Sequence, residues 1–211
     1  MIDAVPVHLV HHPLVHDALL ELRDVRTTPP AFRRAANRIS VLLAAEALRD
    51  VPTAPTRVTT PLGPADGLVV HGDVVVVPVL RAGLGMLDAV LELLPAARVG
   101  HIGLQRDEGT AIASRYYSKL PPNVTESYVL MIDPMLATGG SAVAAIDLLK
   151  QAGARLIRAI CIVAAPEGVA LVERQHPDVA IYTPVVDRHL NAHKYIVPGL
   201  GDFGDRLYGT E

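Results

Sequence analysis

The chain has 211 residues, half of them hydrophobic, a formal net charge of −3 and an isoelectric point near 6.3. This length and composition exclude a disordered chain and favour one domain with a full core, and the acidic balance argues against nucleic acid as the main partner. The single cysteine, Cys161, cannot form an internal disulfide, and the sequence shows neither a signal-peptide pattern nor an apolar run of about 18 residues. We therefore expect a soluble cytoplasmic protein with no membrane partner.

Residues 1–50 predict a helical N-terminal extension. Thr28 is a candidate cap, and prolines follow it in the first helical turn. An apolar stripe continues at Phe32, Ala35, Ile39, Leu42 and Leu43. The next segment, residues 57–71, has β-forming residues on either side of Gly-Pro-Ala-Asp-Gly at 63–67, which predicts a hairpin that turns there.

From Asp73 onward, buried strands and helices alternate as far as the strand "DVAIYTPVV" at 178–186. The first strand, "DVVVVPVL", is a continuous apolar run, as expected where both faces of a parallel sheet are covered. The alternation predicts an α/β fold: an open, doubly wound, mainly parallel sheet with helices on both faces. Ligands of such sheets bind beyond the carboxyl ends of the strands.

The stretch 133–141, "DPMLATGGS", follows a buried strand and opens a helix. A strand-end carboxylate, Asp133, is well placed to accept hydrogen bonds from ligand hydroxyls. Helix N-termini bind phosphate, and glycines let the backbone approach an anion closely. The pattern therefore indicates a sugar-phosphate site, although an ordinary capped helix beside a turn aspartate would look similar. No lysine follows Gly140, so the stretch is not a Walker A loop.

Four motifs, "MIDPMLATGGS", "VPVLRAGLGM", "VAAPEG" and "YIVPGLGDFGDRLYGT", resemble the uracil phosphoribosyltransferases, and the likeness extends over nearly the whole chain. Pro134 stands where the wider phosphoribosyltransferase family usually has a second acid. The resemblance implies one phosphoribosyltransferase domain over residues 1–211, with residues 187–211 as a base-binding tail. The implied reaction transfers the phosphoribosyl group of 5-phosphoribosyl 1-diphosphate (PRPP) to uracil, giving UMP and diphosphate.

The resemblance also assigns the PRPP contacts. Asp133 meets the ribose hydroxyls, residues 137–141 surround the 5-phosphate, and Arg81 and Arg106 bind the diphosphate, to which arginine makes forked bonds. The implied catalytic residues are Asp133, Arg81, Arg106 and Asp202. The full set of PRPP contacts is Arg81, Arg106, Asp133, Pro134, Met135, Leu136, Ala137, Thr138, Gly139, Gly140, Ser141 and Asp202. A cis peptide is also implied near Arg81, and we place it at the Arg81–Ala82 bond.

The glycines of the tail match Gly-x-Gly-x-x-Gly at positions 199, 201 and 204. Too few residues follow Gly204 for the rest of a dinucleotide-binding unit, so a tight backbone loop is the better interpretation. In the family that this chain resembles, such a loop reads the base through main-chain groups. The implied uracil contacts are Ile196, Gly201, Asp202 and Phe203. Asp202 would also hold Mg²⁺ through water, and Phe203 stands where some relatives have alanine.

Two further features remain open. The connection "AIASRYYSKLPPN" at 111–123 is long and polar, which predicts a mobile flap whose Arg115, Tyr116 and Lys119 close over the ligand. His189 and His193 have the spacing of a zinc pair on a helix, but no third ligand accompanies them. His193 is therefore a candidate for base specificity.

Two alternatives to a uracil transferase stay in view. One is a non-catalytic, RNA-binding regulator on the same fold, which would need a basic face. The other is a nicotinamide-dependent oxidoreductase that uses "RAGLGM" as a partial fingerprint, although Asp88 occupies the third glycine position. The family resemblance further implies GTP as an effector and a homodimer or larger homo-oligomer.

Overall fold

A computed structural model describes residues 7–106 and 113–210, without the side chains of Arg106 and Ala113. The helices are α1 (Pro13–Arg23), α2 (Pro29–Ala47), α3 (Leu84–Leu93), α4 (Gly140–Gln151), α5 (Pro166–Gln175) and α6 (Phe203–Tyr208). The strands up to the 133–141 stretch are β1 (Val7–Leu9), β2 (Thr53–Thr60), β3 (Gly63–Val70), β4 (Val74–Leu80), β5 (Arg98–Val99), β6 (His101–Arg106), β7 (Ala113–Lys119) and β8 (Tyr128–Ile132). The later strands are β9 (Met135–Leu136), β10 (Leu156–Ile160), β11 (Val163–Ala164), β12 (Ala180–Thr183), β13 (His189–Leu190) and β14 (Ile196–Val197).

The central sheet has eight strands in the order β1-β12-β10-β8-β4-β6-β7, with β5 also paired to β4. Every pair in it is parallel except β6 with β7. The strand order reverses direction around β4 and β8, as in a doubly wound fold. The fold class predicted from the alternating pattern is confirmed.

Both faces of the sheet are covered by helices. Along β4 and β8, Val76 and Leu130 point to a core shared with α1, α2, α3 and α6. The intervening Val75 and Met131 point to a second core shared with α4 and α5. This explains the unbroken apolar runs of these strands, because each side chain is buried whichever face it takes. Within the described residues, no helix is both long and apolar enough to cross a bilayer.

Helix α2 follows the stripe expected for it. Phe32, Ala35, Ile39 and Leu43 are fully buried, whereas Leu42 is only half-buried. Thr28 is the N-cap residue, but its side chain makes no capping hydrogen bond. Prolines at the first helical positions lack the amide hydrogen that such a cap would satisfy, so the start is stable without it.

The predicted hairpin exists, but its predicted turn is wrong. The chain turns at Pro61 and Leu62, and Gly63–Val70 is the second strand. The Thr60 hydroxyl defines the turn, because it accepts hydrogen bonds from the amides of Leu62 and Gly63 at 3.2 Å each. Gly-Pro-Ala-Asp-Gly is tolerated within a strand because this two-stranded ribbon is largely exposed and leaves little apolar packing to lose.

The segment predicted as a flap is partly a strand. Ala113–Lys119 pairs antiparallel with β6, so this part of the connection is tied to the sheet. The Tyr116 ring packs so closely on Gly103 that a Cβ there would lie 2.6 Å from it. Residues 107–112 lie outside the described residues. The sequence pattern did not indicate that residues 113–119 would pair with β6, the strand that precedes them.

Candidate active site

Three segments converge at the carboxyl end of the sheet. They are the loop after β4, the loop of residues 133–141 after β8, and the loop of residues 196–204 in the tail. Together with the turn at 193–195 they line a cleft of about 330 Å³, to which they contribute Ala82, Met135, Ala137, Ile196 and 201–204. This is the size of a small-ligand site, at the position where an open α/β sheet binds its ligands.

Main-chain hydrogen bonds hold the 133–141 loop to the next strand-helix unit. The carbonyl of Pro134 accepts from the amides of Ile162 and Val163 at 2.9 and 3.1 Å, and the carbonyl of Leu136 accepts from Ala165 at 2.8 Å. These bonds continue into the short parallel pair of β9 and β11. These hydrogen bonds therefore fix the conformation of the loop without a ligand.

Glycines at two positions allow this loop its shape. Gly139 has a φ of 83° at the start of α4, in the left-handed region that other residues rarely adopt. Gly168, in the first turn of α5, packs against the loop so closely that a Cβ would lie 2.5 Å from the carbonyl oxygen of Ala137. Gly139 has no side chain to cap the amides of the α4 N-terminus, which suits an anion.

Asp133 follows β8 directly and is half-buried. Its Oδ1 accepts a hydrogen bond from the amide of Met135 at 3.3 Å. Burial raises the pKa of this carboxyl to about 7, and the Met135 amide opposes the shift. Apolar side chains surround a void of about 10 Å³ beside it, which is about enough for one water and too small for a substrate. Asp133 lines this void and is not among the residues that line the 330 Å³ cleft.

Arg81 lies just after β4 and is exposed. The cis peptide expected here is present, but at Leu80–Arg81, one bond earlier than the Arg81–Ala82 bond that we predicted. Just beyond it, Gly83 turns back onto the strand end, where its amide donates to Val79 O at 2.9 Å. A Cβ on Gly83 would lie 2.5 Å from Ile132 O, so this loop and Asp133 are neighbours.

The 196–204 loop is built around buried side chains. Ile196 and Phe203 are 5% and 1% exposed, and the Phe203 ring packs edge-on against Phe32 with centroids 5.2 Å apart. Phe203 also lies against Gly85, where a Cβ would be 3.0 Å from its ring. The phenyl group is therefore held largely in the core, and it reaches the cleft only at its edge.

Asp202 both lines the cleft and caps a helix. It is exposed at the cleft, and its Oδ1 caps the short helix α6 by accepting from the amide of Asp205 at 3.0 Å. A carboxylate has about four lone-pair sites, so this bond leaves capacity for a ligand. Helix α6 was not predicted from the sequence, because the glycines before it indicated only a loop.

A tight turn forms the remaining wall. The side-chain oxygen of Asn191 accepts from the amides of His193 and Tyr195 at 2.9 and 3.0 Å. Lys194 sits at its tip with a φ of 67°. His193 lines the cleft, in keeping with its candidacy for specificity, whereas His189 lies on β13, so the helical spacing of a zinc pair does not apply.

The family model for uracil phosphoribosyltransferase matches residues 9–210. The chain belongs to this family. A uracil phosphoribosyltransferase of Dictyoglomus thermophilum is 51% identical over 97% of this chain and 100% of the relative. One from Geobacillus kaustophilus is 50% identical over 97% and 99%. The family and enzyme class indicated by the four motifs are confirmed.

Solved structures share the fold of this chain. A protein from Aquifex aeolicus superposes with a TM-score of 0.93 at 34% identity, covering 98% of this chain and 99% of that chain. A hypoxanthine-guanine phosphoribosyltransferase from Bacillus anthracis has a TM-score of 0.50 at 13% identity, covering 73% and 78%, and shares the fold alone. The oxidoreductase alternative has no support among these relatives.

The predicted site residues divide into three groups. Met135, Ala137, Ile196, Gly201, Asp202 and Phe203 line the cleft. Other predicted residues lie in or beside the loops that border it: Arg81, Asp133, Pro134, Leu136 and Thr138 in the loops, and Gly139, Gly140 and Ser141 at the start of α4. Arg106 ends β6 on the same side of the sheet, but its side chain lies outside the described residues.

Two features of the site were missed from the sequence. Gly168 gives the 133–141 loop its close contact with α5, and a glycine within the first turn of a helix was a usable signal because glycine disfavours helices. The other feature is a partly buried ion pair of Arg23 with Asp187, whose closest N–O distance is 2.7 Å. No spacing in the sequence could reveal it, since 164 residues separate the partners.

Proposed function

We propose that the chain transfers the phosphoribosyl group of PRPP to uracil, giving UMP and diphosphate, as one domain over residues 1–211. The observation that carries this is the convergence of the 133–141 and 196–204 loops on one cleft. One loop has the features of a sugar-phosphate site, and the other can present main-chain groups to a base. Membership of the family supports the same reaction.

We assign the residue roles as follows. Asp133 accepts hydrogen bonds from the ribose hydroxyls, and residues 137–141 hold the 5-phosphate at the α4 N-terminus. Arg81 and Arg106 stabilise the leaving diphosphate. The bond from ribose C1 to the diphosphate oxygen breaks, a uracil nitrogen bonds to C1 from the opposite face, and the nitrogen's proton leaves. Positioning and charge stabilisation do most of the catalysis.

Uracil is recognised through main-chain groups of the 196–204 loop. Its O2, N3–H and O4 form an acceptor–donor–acceptor edge, which backbone amides and carbonyls can match. We assign Ile196, Gly201, Asp202 and Phe203 to this contact. Since Phe203 is packed mainly in the core, its side chain shapes the floor of the cleft without filling it.

Mg²⁺ is the proposed cofactor. The exposed carboxylate of Asp202 suits this hard cation, which prefers oxygen ligands and retains several waters. When bound, Mg²⁺ would neutralise part of the diphosphate charge. Asp202 would hold it through water while keeping the α6 cap.

The decisive assay supplies PRPP and Mg²⁺ with uracil, cytosine, orotate or hypoxanthine in parallel reactions and measures the nucleotide formed. We expect UMP from uracil and little product from the others. Activity on hypoxanthine but not uracil would overturn the base assignment.

Regulation and assembly are further parts of the proposal. We expect GTP to act as an effector, the chain to form a homodimer or larger homo-oligomer, and the protein to be cytoplasmic. UMP formation with and without GTP, and light scattering of the purified protein, test the first two. A gel-shift at physiological salt tests the RNA-binding alternative, for which we expect no complex.

A further inference from the structure

The base end of the cleft is tied to the N-terminal helix by a closed ring of hydrogen bonds. Arg23, in the last turn of α1, donates to both carboxylate oxygens of Asp187, at 2.7 and 3.1 Å. The same guanidinium donates to Gly199 O at 3.1 Å. The Gly199 amide in turn donates to Asp187 at 2.9 Å. Both main-chain groups of Gly199 are therefore held by this one ion pair.

Asp187 also reaches the other loop of the site. Its amide donates to Ala164 O at 2.8 Å, and Ala164 pairs with Leu136 through the strands β11 and β9. The residue thus links the 196–204 loop to the strand that carries Met135 and Leu136. Its side chain is only 4% exposed, so the bonds are shielded from water.

We propose that Arg23 and Asp187 are positioning residues for base recognition, which set the main chain of the 196–204 loop relative to the 133–141 loop. This inference rests on the proposed function, because it takes the 196–204 loop to read uracil. Neither side chain needs to touch substrate. A loop that reads a base through its own backbone needs its peptide groups held in place, and the pair holds Gly199 from both sides. The N-terminal helix thereby belongs to the base site.

The test exchanges Arg23 for lysine. A lysine keeps the charge but cannot reproduce a forked bond to the carboxylate together with a bond to Gly199 O. We expect KM for uracil to rise about tenfold, while KM for PRPP rises by no more than about threefold, because the loop that binds the base is displaced and Asp202 is the one proposed PRPP contact that lies in it. Equal changes in both KM values would show a general loss of structure and overturn the proposal.

The chain offers a matched control. Arg158 is 18% exposed at its side chain, against 20% for Arg23, and it likewise pairs with both oxygens of an acid, Asp50, and donates to a carbonyl, that of Ala47. Arg158→Lys removes the same kind of fork far from the cleft. We expect both KM values to stay at wild-type level, and an uracil KM that rises as much as in Arg23→Lys would refute a specific role.

A second variant and a second measurement cover the case in which Arg23→Lys does not fold. Asp187→Asn preserves volume and should raise KM for uracil in the same selective way. Hydrogen exchange on the wild type needs no variant: the Gly199 amide should be protected, whereas an amide that exchanges at the unfolded-chain rate would overturn the proposal. If the wild type forms no UMP, the proposed function fails. If it does and KM for uracil is unchanged in Arg23→Lys, only this inference fails.

Discussion

The 133–141 loop and the 196–204 loop border the same cleft but are built in different ways. Neighbouring parts of the chain hold the first, through main-chain bonds to residues 160–165 and through Gly168. Contacts from far away hold the second loop and the helix that follows it: Arg23 with Gly199 O across 176 residues and, at α6, Arg33 with Leu207 O across 174 and Arg206 with Leu22 O across 184. The loop proposed for the sugar phosphate is therefore held by the next strand-helix unit of the chain, and the loop proposed for the base is held by residues more than 160 positions away.

The sharpest test of the local loop removes its carboxylate. Asp133→Ala should lower kcat/KM for PRPP by at least about a hundredfold, because the ribose hydroxyls lose their acceptor at the point of reaction. Steady-state kinetics with saturating uracil measures this. Asp88→Ala, which removes an exposed acid on α3, serves as the control. Wild-type kcat/KM in Asp133→Ala would remove the role assigned to this acid.

A second test displaces the same loop without touching its chemistry. In Gly168→Ala, the new Cβ would lie 2.5 Å from Ala137 O, so either the loop or α5 must move. We expect KM for PRPP to rise about tenfold and the free energy of unfolding to fall by about 1–3 kcal/mol. Kinetics and chemical denaturation measure the two effects.

Gly67→Ala is the matched control, since a Cβ at that exposed hairpin position meets nothing within 4 Å. Should Gly168→Ala behave like Gly67→Ala, the close packing of α5 against the 133–141 loop would have no functional weight.

The same contrast explains what could be predicted from the sequence. Strand burial, the helix start at Gly140 and the acid at the end of β8 are local patterns, and each was found where it was expected. The hairpin turn was misplaced because Thr60 defines it with a side-chain hydroxyl, while the glycines that suggested a turn lie in an exposed strand. A local sequence pattern thus predicts strand and turn positions well only where burial constrains the strand.

Long-range features had no local signal. The helix α6 follows a glycine-rich stretch and is stabilised from afar, by Arg33 at its C-terminal end and by Phe32 against Phe203. Strand β1 pairs with β12 at the edge of the sheet. A strand of three residues is too short for its sequence pattern to predict this pairing. The four family motifs indicated the loop that we propose for the base, and the residues that hold this loop became visible only in the folded chain.

Proton linkage gives a third test, centred on the pKa of about 7 that burial gives Asp133. Hydroxyls that donate to the carboxylate favour its ionised form, so PRPP binding should release protons near pH 7. Below that pH the free protein carries the proton, and affinity for PRPP should fall up to about tenfold per pH unit. Calorimetry in buffers of different ionisation enthalpy counts the protons.

Asp133→Asn separates this effect from titration of the PRPP phosphates. In this variant, PRPP affinity should lose only the part of its pH dependence that is due to Asp133. The pKa of the folded form lies above the ordinary value of 3.8. The folded state therefore binds more protons between about pH 4 and 7, and its stability from this group falls as pH rises through that range. Asp133→Asn should accordingly stabilise the free protein more at pH 8 than at pH 5. An equal effect at both would contradict the raised pKa.

The smallest expected effect concerns the turn that faces both loops across the cleft. Lys194 has a φ of 67°, a backbone conformation that costs a residue with a side chain roughly 1–2 kcal/mol. Glycine removes that cost but loses about 0.4–1 kcal/mol through the greater freedom of the unfolded chain. Lys194→Gly should thus raise the free energy of unfolding by up to about 1.6 kcal/mol, as measured by chemical denaturation.

Lys194→Ala keeps the backbone cost and removes the same charge, so a Gly variant no more stable than the Ala variant would contradict this reasoning. The pair also sharpens the contrast between the loops. Since Lys194 lines the cleft, a change in KM for uracil shared by both variants would assign the lysine side chain to the base end of the site. A change confined to Lys194→Gly would instead show that the rigid backbone of the turn matters there, the same kind of role that we propose for the main chain of Gly199.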